Sequence, residues 1–113
     1  MALTRDFRET VKQRAETDVE FRVGLLTEAA ECLINGDVET TKILLRDYIN
    51  ATVGFQELGR LTGKKPQSLM RMLSKDCNPR ADNLGQMMSV LREHEGVSLH
   101  LEAESGRSRH FCS

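Results

Sequence analysis

Apolar residues recur along the chain at intervals of three and four, which predicts helices rather than strands. The first helix is predicted over residues 4–15, because Phe7 and Val11 lie four residues apart after Thr4, a suitable N-cap. The same spacing continues through most of the sequence, so the pattern predicts an all-α fold.

Two longer helices are predicted next. The first follows Thr17-Asp18 and ends at Asn35-Gly36, since glycine takes the left-handed C-cap conformation without penalty. Its apolar face consists of Phe21, Leu25, Leu26, Ala29 and Leu33. The second begins after Asp37 and is closed by Gly54. It carries two adjacent apolar stripes, which predict burial on more than one side: Val38, Leu45 and Ile49, and Leu44, Tyr48 and Ala51.

The second half of the chain predicts shorter elements. Two short helices are expected over residues 55–62 and 66–74, separated by Gly63. Residues 76–81 form a turn, because Asn78-Pro79 is a turn dipeptide.

The last predicted helix has Asp82 or Asn83 as its cap, runs to about residue 94 and ends at Gly96. Its apolar face consists of Leu84, Met87, Met88 and Leu91. Residues 97–102 (VSLHLE) then alternate between apolar and polar, which is the period of a strand. A lone strand leaves its backbone groups unpaired, so we expect it to pair with a second copy of the chain or with a partner.

The composition is that of one small globular domain with a leucine- and methionine-rich core. The chain has 113 residues, of which 39% are apolar and only 4% are aromatic. It contains neither an apolar run long enough to span a membrane nor an apolar signal core, so a cytoplasmic protein is expected. The three cysteines form no C-x-x-C pair, and we predict neither a metal site nor a cofactor.

No catalytic arrangement is visible in the sequence. The three histidines lie late in the chain, and no glycine-rich phosphate loop or nucleophile–base pair accompanies them. We therefore expect that the protein is not an enzyme.

The net charge of −1 conceals a basic middle between acidic ends. Residues 1–53 carry 7 Lys/Arg and 10 Asp/Glu, residues 54–80 carry 6 and 2, and residues 81–113 carry 3 and 5. The three segments therefore have net charges of −3, +4 and −2. Such an asymmetry indicates that different parts of the chain meet different partners.

The basic segment has the features of a helix-turn-helix. Gly59 is small where a second helix must pack closely, and Gly63 can adopt the positive φ of a tight turn. Pro66 suits the first turn of the second helix, where a missing N–H costs nothing. Leu69, Met72 and Leu73 can face the core, which leaves the other side for a DNA major groove.

The charge at the start of that second helix favours an external anion. Lys64 and Lys65 oppose the helix dipole, whereas phosphate would be attracted by the lysines and the helix together. The alternative is an ordinary pair of helices with a basic, solvated face, which the spacing alone does not exclude.

The candidate DNA contacts fall into two groups. Gln67 can pair with adenine and Arg71 with guanine or phosphate, while Ser68 is small enough to permit close approach to the groove. Lys64, Lys65, Lys75 and Arg80 are candidate phosphate contacts. A solvated side chain is the simpler explanation for any one of these four cations, so the prediction rests on their clustering. Met70 fits either a thymine-methyl contact or the core.

Residues 55–74 (FQELGRLTGKKPQSLMRMLS) resemble the helix-turn-helix of the lambda-repressor-like (Xre/Cro) class. More narrowly, the chain resembles the HigA-like antitoxins, the antidote proteins of addiction modules, over roughly residues 28–102. Those proteins have a similar L-A-x-x-T-G turn, an S-L-x-x-x-L-S recognition helix, a G-N-P turn, a terminal helix followed by a short strand, and an upstream G-D junction. The matching residues here are 58–63, 68–74, 77–79, 97–101 and 35–37.

Several residues depart from the family pattern. Gly59 stands where alanine is usual, which loosens the first helix of the motif, and Cys77 replaces the turn glycine. Lys64 replaces an apolar turn residue, and Lys65-Pro66 replaces the usual Ser-Arg cap. These differences affect the DNA sequence that is recognised more than the fold.

The resemblance implies a homodimeric DNA-binding repressor that neutralises a RelE/ParE-like toxin. Its expected parts are N-terminal helices that contact the toxin (1–53), a DNA-binding region (54–102) and a flexible tail (103–113). Two other interpretations remain open: a stand-alone Xre-like transcription regulator, and a protein-interaction module that has lost DNA binding.

Overall fold

A computed structural model describes residues 18–105, and within this range the chain is all-helical with no strand. The five helices are α1 (Val19–Ile34), α2 (Val38–Ala51), α3 (Gly54–Thr62), α4 (Pro66–Met72) and α5 (Ala81–Glu95). The all-α prediction is thus confirmed for the described residues. The helix predicted over residues 4–15 lies outside them.

Local signals at the helix ends account for most of these boundaries. Asp18 and Asp37 cap α1 and α2, each with a side-chain oxygen 3.1 Å from the backbone nitrogen three residues on. Gly36 follows α1 with φ 87°, and Gly96 ends α5 with φ 79°, both left-handed conformations that favour glycine. These four predictions are confirmed.

The predicted cap of the last helix was wrong. α5 begins at Ala81, and Arg80 occupies the N-cap position in an extended conformation without a side-chain hydrogen bond. Asp82 lies inside the first turn, where its side chain accepts from the backbone nitrogen of Asn83. An acidic residue in the first turn interacts favourably with the helix dipole, so Asp82 supports the start of the helix without defining it.

The core takes side chains from all five helices. Its fully or almost fully buried residues are Leu26, Ala29, Leu45, Tyr48, Ile49, Leu58, Leu69, Leu73, Leu84, Met87 and Leu91. The predicted apolar stripes of α1, α2 and α5 all contribute to this set. Burial of these leucine-rich faces is the main favourable term that holds the short helices together.

A polar cluster joins three helices beside this core. The Tyr48 hydroxyl, on buried α2, donates to Glu95 Oε1 at the end of α5. Arg22 on α1 makes a bidentate ion pair with the same carboxylate, with Nε 3.1 Å from Oε1 and Nη2 3.1 Å from Oε2. Desolvation opposes ionisation of Glu95, but the hydrogen bonds from Arg22 and Tyr48 outweigh it and hold the pKa of Glu95 below its ordinary value of 4.5. Burial and the bond to Glu95 raise the pKa of Tyr48.

The segment after α5 forms neither helix nor strand up to residue 105. Leu99 packs against the core, whereas Leu101 is 68% exposed. The described part of one chain offers no strand to pair with residues 97–102, so their pairing with a second copy or a partner stays a prediction. Among the helices of residues 18–105, none has the length and apolar character needed to cross a membrane.

We predict that Glu95→Gln destabilises the protein at neutral pH by about 1–3 kcal/mol, because it removes a charged acceptor that is largely buried. The folded state lowers the pKa of Glu95, so its contribution is fully present above about pH 5 and is lost as the pH falls through the folded value. The difference in unfolding free energy between wild type and variant should therefore shrink between pH 6 and pH 3 in denaturant titrations.

Glu93→Gln is the matched control, because Glu93 is the exposed glutamate two residues earlier on the same helix. It should change stability little at any pH. A wild-type advantage over Glu95→Gln that stays constant from pH 6 to pH 3 would show that the Glu95 carboxylate does not stabilise the fold.

Candidate nucleic-acid interface

Helices α3 and α4 are joined by a tight turn at Gly63. Gly63 has φ 74° and ψ 17°, and its backbone nitrogen lies 2.9 Å from the carbonyl oxygen of Gly59. The Lys64 nitrogen lies 3.2 Å from the same oxygen, so the Gly59 carbonyl accepts hydrogen bonds from two successive residues of the turn. Lys65 has an extended backbone conformation, and Pro66 is the first residue of α4, as the sequence predicted.

Gly59 is required by the packing of this turn. A Cβ atom at this position would lie 2.7 Å from the Lys64 carbonyl oxygen and 3.3 Å from the ring carbons of Pro66. Backbone atoms cannot yield as a flexible side chain can, so the turn has no space for alanine. The glycine at position 59 is therefore explained by the close approach of the following backbone.

Helix α4 separates its residues into two faces. Leu69 and Leu73 are fully buried and Met72 is half-buried, as predicted. The opposite side exposes Gln67, Ser68, Met70 and Arg71. Met70, which the sequence left between core and surface, is 46% exposed and belongs to the outer face. The outer face thus combines an amide, a hydroxyl, a thioether and a guanidinium group.

The candidate phosphate contacts differ in their surroundings. Lys65 and Lys75, which flank α4 in the sequence, are exposed, and Lys64 is half-buried in the turn. Arg80 is exposed but pairs with Asp82, with 3.3 Å between Nε and Oδ1. Such an exposed pair contributes little to stability, so Arg80 can exchange Asp82 for another anion.

A second cation of the basic segment is paired with a carboxylate. Arg60 on α3 makes an ion pair with Glu57 one turn earlier. The hydrogen bond from Arg60 lowers the pKa of Glu57, so the pair stays ionised near neutral pH. The uncompensated positive charge of the segment therefore lies at α4 and its flanks.

Sequence reasoning missed two residues of α2 that hold the carboxyl end of α4. Lys42 is 1% exposed, and its Nζ lies 2.8 Å from the Ser74 carbonyl oxygen and 2.7 Å from that of Cys77. Arg46, one turn later, donates from Nη2 to the Leu73 carbonyl oxygen. A signal was present: Lys42 falls within the stripe of Val38, Leu45 and Ile49, at a position where an apolar residue is expected.

Comparison of the chain with known protein families, curated proteins and solved structures finds no match. The interpretation of this surface therefore depends on its own geometry and charge.

We predict that Gly59→Ala destabilises the protein by about 1–3 kcal/mol, because the added methyl group forces the turn apart. Thermal and denaturant unfolding would measure this. Gly85→Ala is the matched control: Gly85 also lies within a helix, and an added Cβ there meets no atom within 4 Å. That substitution should stabilise by up to about 1 kcal/mol through helix propensity. Equal stabilisation by both alanines would contradict the packing at Gly59.

Proposed function

We propose that the protein is a DNA-binding transcriptional repressor whose α3 and α4 form a lambda-repressor-like helix-turn-helix. The observation that carries the proposal is the outer face of α4. Gln67, Ser68 and Arg71 are exposed there, while Leu69 and Leu73 anchor the opposite side in the core. A helix with one anchored face and one exposed polar face fits the major groove of DNA.

Each residue has a role in this proposal. Gln67 contacts adenine, Arg71 contacts guanine or a phosphate, and Ser68 permits close approach. Lys64, Lys65, Lys75 and Arg80 contact phosphates on either side of the groove. Met70 adds an apolar contact to the methyl group of thymine.

The repressor acts as a homodimer in this proposal. One helix of two turns reads only a few base pairs, so a palindromic operator requires two copies with their α4 helices about one DNA turn apart. The alternating residues 97–102, with Leu101 exposed, are the candidate pairing segment.

We further propose that this cytoplasmic repressor is the antitoxin of a toxin–antitoxin module and neutralises a RelE/ParE-like toxin. The family resemblance is one support, and the charge of α1 and α2 is another. Residues 18–53 contain 7 Asp/Glu and 3 Lys/Arg. The three cations bond internally: Arg22 to Glu95, Lys42 to Glu39 and two backbone carbonyls, and Arg46 to a backbone carbonyl. The exposed carboxylates of Glu20, Glu28 and Glu31 make the outer surface of α1 acidic, which suits a basic partner.

A groove along α1 is the candidate contact surface for that partner. It is lined by Val19, Val23, Gly24 and Thr27, with Glu20, Glu28 and Glu31 around them. The stand-alone Xre-like regulator remains the alternative function, and it needs no partner at this groove. A neighbouring short reading frame for a basic protein would favour the antitoxin.

The first test is binding of the full chain to its own upstream DNA at several salt concentrations. We expect preference for that DNA over random duplex, with affinity that falls steeply as salt rises. Gln67→Ala combined with Arg71→Ala should remove most of the preference, because each base contact contributes about 1–3 kcal/mol of discrimination.

The matched control is Gln86→Ala combined with Arg92→Ala, which removes the same residue types from α5. It should keep the preference. If the wild type does not distinguish the two DNAs, α4 is only a charged helix. That result would favour a protein-interaction module that has lost DNA binding.

A second test addresses the partner. Glu20→Lys combined with Glu28→Lys should weaken binding of a basic toxin encoded next to this gene at least about tenfold at low salt. Glu93→Lys combined with Glu104→Lys makes the same charge change at exposed positions outside α1 and outside the candidate pairing segment, and it should have little effect. A toxin complex whose affinity is unchanged by the α1 substitutions and by salt would exclude this acidic surface as the contact.

A further inference from the structure

Lys42 is a charged residue at a buried position where an apolar side chain would pack well. It lies in the buried stripe of α2 between Val38 and Leu45, and only 1% of it is exposed. A methionine would fill a similar volume without the cost of removing an ammonium group from water. The presence of a buried cation at this position is therefore best explained by the groups that bind it.

The ammonium group of Lys42 uses its full hydrogen-bonding capacity. Its three protons match three close acceptors: the carbonyl oxygens of Ser74 at 2.8 Å and Cys77 at 2.7 Å, and Glu39 Oε2 at 2.9 Å. Ser74 and Cys77 are the two ends of a turn, with the Cys77 nitrogen 3.3 Å from the Ser74 oxygen. One nitrogen thus fixes both ends of the turn, and Lys75 is displayed from it to solvent.

Arg46 adds a hydrogen bond to the end of α4 itself. It donates to the carbonyl oxygen of Leu73, the C-cap residue of α4. Carbonyls at a helix C-terminus lack partners within the helix and carry partial negative charge, so a cation binds them well.

The apolar contacts of α4 do not fix its direction alone. The helix has 7 residues, and Leu69 is its one fully buried side chain, with Leu73 immediately after its end. Apolar contact is non-directional, so a helix of two turns can rotate or slide on such a small anchor. Directional bonds from Lys42 and Arg46 remove that freedom.

We propose that Lys42 and Arg46 are positioning residues that determine DNA sequence preference without touching DNA. They set the axis of α4, and with it the approach of Gln67 and Arg71 to base edges and of Lys75 to phosphate. This inference rests on the proposed DNA-binding function. It predicts that preference for the correct sequence is lost before general affinity, because base contacts demand closer positioning than phosphate contacts.

The experiment compares Lys42→Met with wild type in the full chain. Binding to the upstream DNA and to random duplex is measured at temperatures where circular dichroism shows both proteins to be folded. We expect the ratio of the two affinities to fall at least about tenfold, the size of one lost base contact. The loss of one positive charge lowers both affinities alike, so it leaves that ratio unchanged.

Tyr48→Phe is the matched structural control, because it removes a hydrogen bond from the same helix on the side of Glu95. Its affinity ratio should equal that of wild type even if its stability falls. If Lys42→Met does not fold, Arg46→Met serves in its place, since Arg46 is only half-buried. A folded variant that retains the wild-type ratio overturns the inference, whereas a wild type without preference overturns the proposed function first.

Discussion

The buried ammonium group of Lys42 is the interaction on which the position of α4 depends. A charge taken out of water is tolerated only when every proton finds an acceptor with good geometry. Here the acceptors come from Glu39 in the first turn of α2 and from the two ends of the turn after α4. The chain must therefore bring that turn to one point on α2, and this requirement places α4 more closely than its short apolar face does.

A second polar cluster holds the other end of α2. Tyr48 reaches Glu95 near the end of α5, and Glu95 in turn binds Arg22 on α1. Leu45, which is fully buried, lies between Lys42 and Tyr48 on the same helix. Apolar burial supplies the free energy that brings the helices together, and directional polar bonds at each end of α2 select one arrangement among those that bury similar area.

The cations of the two halves of the chain differ in whether they bond within the fold or face solvent. The cations of residues 18–53 turn inward to a carboxylate and to backbone carbonyls, whereas Lys65, Lys75 and Arg71 remain exposed. Glu20, Glu28 and Glu31 are exposed on α1, so the outer surface of this helix is acidic. This separation supports two surfaces of opposite sign, one suited to a basic protein and one to phosphate.

The sequence by itself determined where most helices lie, because their signals act over a few residues: the caps of α1 and α2, the glycines Gly36, Gly63 and Gly96 at φ > 0, and the apolar stripes. It misplaced the end of α2, where Thr52 is the C-cap and Gly54 begins α3 instead of closing α2. It also determined which side of α4 is buried, since Leu69 and Leu73 are the apolar pair at helical spacing. It misplaced the start of α5, where Arg80 gives no capping signal and Asp82 resembles one. The tertiary structure alone decided how α4 is held. Lys42 and its carbonyl partners lie 32 and 35 residues apart in the chain, and backbone oxygens carry no residue identity that a sequence pattern could show.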